Sequence, residues 1–103
     1  MAETSLVVEI GPGPGGLTAA LLAAGARRVV AIERDYECVQ ALLTSDLPAV
    51  AGDRLRMMHA DARRVGLAEL CEEEGIGMQA ARSVKVVGNL PFSVSVVRQI
   101  LPK

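Results

Sequence analysis

The residues of this chain whose types and spacing could do chemistry are Glu9, a glycine-dense bend at Gly11, Gly13, Gly15 and Gly16, then Glu33, Asp61 and the run Asn89-Leu90-Pro91-Phe92. Glycines without a Cβ let the backbone take positive φ and let a flat or anionic group approach it closely. The helix that follows would aim its free N–H groups at that group. Glu33 carries two carboxylate oxygens, enough to accept both hydroxyls of a ribose. Asp61 is placed to accept from the exocyclic amine of an adenine. Pro91 restricts Leu90 to extended geometry, so the Asn89 amide and the Phe92 ring could accept from an aromatic amine and stack on its base, as flipped nucleobases are held. Each has a plainer reading that stays open: a strand-end surface acid for Glu33, a helix N-cap for Asp61, a core side chain after a turn for Phe92.

These residues must be positioned by regular elements, and the hydrophobic pattern supplies them. Apolar runs predict strands at Leu6–Ile10, Arg28–Ile32, Leu55–His59 and Ser83–Val87. Helices are expected over about Gly16–Ala24, Tyr36–Leu43, Leu67–Glu74 with a resumption at Met78–Arg82, and Ser93–Leu101. Thr44–Asp53, with Pro48 and Gly52, reads as a turn. Alternation of strand and helix predicts an α/β fold, a partial doubly wound parallel sheet with right-handed crossovers. Glu9–Gly16, Glu33, Asp61 and Asn89–Phe92 all fall at carboxyl ends of strands, where such sheets hold ligands. The fourth strand would form an apolar, unpaired edge, which suggests further strands of a larger domain.

Composition narrows the partners. The chain has 103 residues, half of them apolar and 2% aromatic, so one small domain packed by aliphatic side chains is expected. A net charge of −1 gives no bulk field for nucleic acid. Arg27-Arg28 and Arg63-Arg64 read as solvated surface pairs. Cys38 and Cys71 have no metal-binding or CxxC spacing and are expected as buried or half-buried fillers. The apolar stretches fall short of the roughly 20 residues of a membrane span, and no secretory signal or organellar presequence is visible. No metal site is expected, and His59 reads as a structural strand-end residue.

The pattern Gly11-x-Gly13-x-x-Gly16 with Glu33 downstream also fits a dinucleotide fingerprint. Two features favour S-adenosylmethionine over a nicotinamide cofactor. Pro12 and Pro14 remove N–H donors that a pyrophosphate would want, while Glu9 adds negative charge that suits a sulfonium amino acid. The second is Asp61 after the third strand. A nucleotide-dependent dehydrogenase gives no role to Asn89-Leu90-Pro91-Phe92.

The stretches EIGPGPGGLT, AIERD, RLRMMHADA and VVGNLPFSVS together resemble the S-adenosylmethionine-binding half of the ribosomal RNA adenine N6-dimethyltransferases. NLPFSVS and LTSDLPAVAGDRLRMMHADA are most similar to the mitochondrial dimethyladenosine transferase branch, also called mitochondrial transcription factor B. The resemblance implies a Rossmann-like, S-adenosylmethionine-dependent methyltransferase fold and transfer of methyl groups to N6 of adjacent adenines in a small-subunit rRNA hairpin. It implies that Glu9, Gly11 and Gly13 hold the methionine part, and that Glu33 takes the ribose hydroxyls. Arg34 would lie beside the adenine, with Asp61 and Ala62 at its amine. Asn89, Leu90, Pro91 and Phe92 would hold the target base, Asn89 also reaching the cofactor. It further implies a monomer, a mitochondrial or otherwise cytoplasmic location, and a C-terminal RNA-binding helical domain and an N-terminal closing segment outside residues 1–103. A non-catalytic, cofactor-binding transcription accessory factor, or an inactive fragment, is the alternative.

Overall fold

The computed structural model describes residues 6–76 and 84–88. Four strands, β1 (Leu6–Ile10), β2 (Val29–Glu33), β3 (Leu55–His59) and β4 (Val84–Gly88), form one sheet in the order β3-β2-β1-β4. All three pairings are parallel, with Ile10 opposite both Ile32 and Gly88, and Glu33 opposite His59. Between the strands lie α1 (Gly16–Ala23), α2 (Tyr36–Leu43), α3 (Leu47–Ala51) and α4 (Leu67–Glu73), with 3-10 turns at Gly52–Arg54 and Ala62–Arg64.

Every residue of β1 and β2 is buried, as expected of central parallel strands covered on both faces. Alternate side chains sort the core into two layers. Leu6, Val8, Ile10, Val30 and Ile32 face α4, packing with Leu67, Leu70 and Cys71. Val7 and Val29 face the other way, onto Leu22 of α1, Ala26 and Ala51 of α3. The fold is therefore a Rossmann-like α/β sheet with helices on both faces. Strand order reverses between β1 and β4, and that reversal opens the crevice in which such sheets bind ligands.

The elements follow expectation with three corrections. Leu47–Ala51 is helical, although Pro48 suggested a turn. Pro stands within the first helical turn, where its missing N–H has no partner to lose. Second, β2 runs one residue later than expected, and β4 likewise ends one residue later, at Gly88. Third, Arg28 is no solvated surface residue: it binds Glu74 and the Asp53 carbonyl, and Glu74 is shared with Arg56. This network ties the end of α4 to the amino ends of β2 and β3. Arg27, Arg63 and Arg64 are exposed. Cys38 is half-buried and Cys71 buried, both as free thiols. The expected helices over Met78–Arg82 and Ser93–Leu101 lie outside the described residues. No helix among the described residues is long and apolar enough to cross a membrane.

Candidate functional site

At the carboxyl end of β1 the chain turns through Gly11 (φ 69°) and Gly13 (φ 54°) into Gly15, which caps α1. The Gly15 N–H closes the turn on the Pro12 carbonyl at 2.9 Å, and the Gly11 N–H anchors the bend to the Ile32 carbonyl of β2 at 2.9 Å. A Cβ on Gly11 or Gly13 would meet nothing within 4 Å. Their bareness thus serves the backbone angle and leaves open space above the bend.

Glu33 is buried at the end of β2 and spans this bend and the next. One carboxylate oxygen accepts from the Gly13 N–H at 3.2 Å, and the other from the Asp35 N–H at 3.0 Å. Asp35 in turn caps α2 by accepting from the Glu37 N–H. The plain surface-acid reading of Glu33 is thereby replaced by a positioned carboxylate. The Ala60 N–H donates to the Glu33 carbonyl at 3.0 Å, which brings the end of β3 alongside.

Asp61 begins the 3-10 turn after β3. It accepts from the Arg63 N–H and holds the Arg63 guanidinium at 2.7 Å. These bonds from Arg63 draw the Asp61 carboxyl down to a pKa of about 2. The N-cap reading is correct, and a fully ionised acceptor at the strand end is its consequence. The Ala62 methyl is packed in the core, so the peptide is the part of that residue able to face a ligand. Arg34 is exposed, and its carbonyl lies 3.1 Å from His59 Nε2.

Glu9 is almost fully buried, on the α1 face of β1. The Thr18 hydroxyl donates to one of its carboxylate oxygens, while the other is buried without a partner among the described residues. Burial pushes the Glu9 pKa up, against the lowering effect of the Thr18 bond. A buried, half-satisfied carboxylate beside an open bend suits a ligand that brings a cationic donor.

The structure thus brings Glu9, Gly11, Gly13, Glu33 and Asp61 to one edge of the sheet. Asn89, Leu90, Pro91 and Phe92 lie outside the described residues; the chain leaves β4 toward them at Gly88, directly opposite Ile10. Sequence reasoning missed two residues here. Thr18 completes the Glu9 pair, and Tyr36, 60% exposed, sets its ring 5.6 Å from that of His59, the residue paired with Glu33 across β2 and β3. The available signal for Tyr36 was the lone tyrosine of an aromatic-poor chain standing at a helix start. A separate hollow beside Met58, Gly66 and Leu70 contains none of the site residues. Among the described residues no three His, Cys, Asp or Glu side chains are grouped as a metal ion would require.

Comparison with known proteins identifies the family. Residues 1–102 match the family model described as ribosomal RNA adenine dimethylase. The chain is 47% identical over 88 residues to the ribosomal RNA small subunit methyltransferase A of Mesorhizobium japonicum, covering 85% of this chain and 30% of that protein. It is 41% identical over 104 residues to the protein of the same name from a Chelativorans strain, covering 98% of this chain and 34% of that one. The chain therefore spans about a third of the length of these relatives. Among solved structures, the [4+2]-cyclase SpnF superposes with a TM-score of 0.57 at 12% identity, over 95% of this chain and 35% of that one. That likeness is one of fold.

Proposed function

This chain belongs to the ribosomal RNA adenine dimethylase family, and from that premise we propose that residues 1–103 form the S-adenosylmethionine-binding part of an enzyme that methylates N6 of adenine in small-subunit rRNA. The observation that carries the reading is the convergence of Glu9, the Gly11–Gly13 bend, Glu33 and Asp61 at one edge of the sheet, next to the β1–β4 reversal. The residues present fit the cofactor: the Glu9 oxygen that has no partner among the described residues suits an ammonium, and the bare bend leaves room for the amino-acid portion.

When bound, S-adenosylmethionine supplies a methyl group on a positively charged sulfur. Glu9, Gly11 and Gly13 hold its methionine part, and Glu33 accepts from the ribose hydroxyls through lone pairs that its bonds to Gly13 and Asp35 leave free. Asp61, kept ionised by Arg63, accepts from the adenine amine beside Ala62, with Arg34 flanking the ring. On the target side, the Asn89 side chain and the Leu90 carbonyl accept the hydrogens of the amine, which keeps the nitrogen lone pair out of the ring. Phe92 stacks on the extruded base, a contact of about 1–3 kcal/mol in comparable cases. Pro91 would restrict Leu90 before it to extended backbone. Positioning accounts for most of the rate in such a transfer.

Placement in the mitochondrial branch, and with it in the mitochondrion, rests on NLPFSVS and LTSDLPAVAGDRLRMMHADA. The relatives above are bacterial, and they support the family without that branch. The RNA-binding helical domain belongs to the remaining two-thirds of such enzymes in this reading.

The test grafts this segment into the Mesorhizobium japonicum relative in place of its own. Calorimetry with S-adenosylmethionine and S-adenosylhomocysteine should show binding, and radiolabelled methyl should enter a small-subunit rRNA hairpin. Absence of binding, or an unaltered transfer rate in Asn89→Ala, would refute the reading.

A further inference from the structure

Tyr36 and His59 are exposed, and the proposed function gives neither of them a part. The chain holds one tyrosine and one phenylalanine, and among the described residues the core clusters contain no ring. Tyr36 is 60% exposed, with its ring 5.6 Å from that of His59 and tilted at 58° to it. Both rings are anchored beside Glu33. His59 stands opposite Glu33 in the register of β2 and β3. The Arg34 carbonyl, 3.1 Å from His59 Nε2, can only accept, so Nε2 carries the proton and the imidazole is fixed. Tyr36 opens α2 directly behind Asp35, whose N–H donates to the Glu33 carboxylate at 3.0 Å. A ring held in place while most of its surface faces water is a stacking surface ordered in advance.

We infer that Tyr36, steadied by His59, stacks on an unpaired base of the RNA substrate, a base other than the adenines methylated. This deepens the proposed function and rests on it. The neighbours of Tyr36 in the chain, Asp35 and Glu37, are exposed acids and repel a phosphate. A base instead offers a neutral π face, and stacking accepts any of the four bases. Arg34, Asp35, Glu37 and His59 also make polar surroundings, unlike the apolar centre of a contact between proteins. The cofactor's adenine already has Asp61, Ala62 and Arg34 in the proposed function.

The experiment measures affinity of the grafted enzyme for a small-subunit rRNA hairpin, with S-adenosylhomocysteine present, in Tyr36→Leu and Tyr36→Phe. Leucine keeps apolar volume without a π face, whereas phenylalanine keeps the ring. Tyr36→Leu should weaken the hairpin by about 5- to 150-fold, the range of one lost base–aromatic stack. Tyr36→Phe should stay within about threefold of the parent graft. The loss in Tyr36→Leu should be equal at about 50 and 200 mM salt, because no phosphate contact is removed. Hairpins with one abasic nucleotide at successive unpaired positions then locate the base: at one of them Tyr36→Leu should cost nothing further. Equal affinity of Tyr36→Leu and the parent graft, as a purely structural ring would give, overturns the inference. So does a loss that no abasic position cancels, or a matching loss of S-adenosylhomocysteine affinity, which would assign the ring to the cofactor. If the parent graft binds the hairpin but transfers no methyl group, the functional reading fails by itself, and the affinity ratio still judges Tyr36.

Discussion

The Thr18 hydroxyl donates to the buried Glu9 carboxylate, tying the end of β1 to the first turn of α1 across the glycine bend. Glu9 stands two residues before Gly11 and Thr18 two after Gly16, so this bond closes the segment that would hold the ligand. Its second oxygen has no partner among the described residues.

Removal of the donor leaves both oxygens unsatisfied in the interior. Thr18→Val should therefore cost about 1–3 kcal/mol in urea unfolding, the usual penalty for an orphaned buried polar group. Thr18→Ser keeps the hydroxyl and should recover most of that loss. Equal stability of Thr18→Val and the parent protein would show that the bond contributes nothing.

Glu9 also sets a pH dependence. Its folded-state pKa is raised above 4.5 by burial, so the folded protein holds that proton more tightly than the unfolded chain. The associated stability is fully present below about pH 4.5 and fades as pH rises through the folded pKa. The melting temperature of Glu9→Gln minus that of the parent should accordingly grow with pH across this window. Parallel melting curves from pH 4 upward would count against a raised Glu9 pKa.

Glu33 joins the bend to α2 through two N–H groups and, in the proposed function, binds the ribose. Hydrogen bonds to a charged group contribute about 1.5–3 kcal/mol each, so Glu33→Ala should weaken S-adenosylhomocysteine by about 10- to 100-fold. Calorimetry measures this directly, and an affinity equal to the parent's would remove Glu33 from the site.

Asp61 behaves in the opposite sense to Glu9. Held at a pKa of about 2 by Arg63, it contributes in full above its ordinary value of 3.8, and the contribution is lost as pH falls from there through about 2. In Arg63→Ala the carboxyl should return toward 3.8. Carboxyl-carbon NMR titration reads the shift, and cofactor affinity should then begin to weaken near pH 4. An Asp61 titration unmoved by Arg63→Ala would mean another group depresses it.

The ion network at the opposite edge of the sheet is structural. Glu74 is 7% exposed between Arg28 and Arg56, whereas Glu73 is 57% exposed and, among the described residues, bonds Arg56 alone. Glu74→Ala should cost about 1–3 kcal/mol through uncompensated guanidinium charge. Glu73→Ala should stay within about 0.5 kcal/mol, as exposed pairs do. Denaturant midpoints of the two variants separate them, and equal losses would contradict the asymmetry.

The sequence by itself determined what local pattern can carry. The largely apolar runs at Leu6–Ile10, interrupted by Glu9, and Leu55–His59, interrupted by Arg56, are strands with the expected bounds, and Tyr36–Leu43 is the expected helix behind its Asp35 cap. Polar residues immediately after apolar strands placed Glu33 and Asp61 at one edge, because parallel strands share a direction. Tertiary structure alone decided the pairings. Glu9 finds Thr18 only after α1 folds back over β1, and Arg28 meets Glu74 across 46 residues. The helix at Leu47–Ala51 closes on a core formed with Val7 and Val29, so Pro48 reads as a helix start only when that packing is known. Gly88 shows the same division: its residue type is visible in the chain, but its necessity comes from the Ile10 carbonyl that the sheet sets against it. Patterns of side chains specify elements because they act within a few residues. Which distant groups share a low-dielectric interior, and how near two backbones approach, depends on how those elements pack.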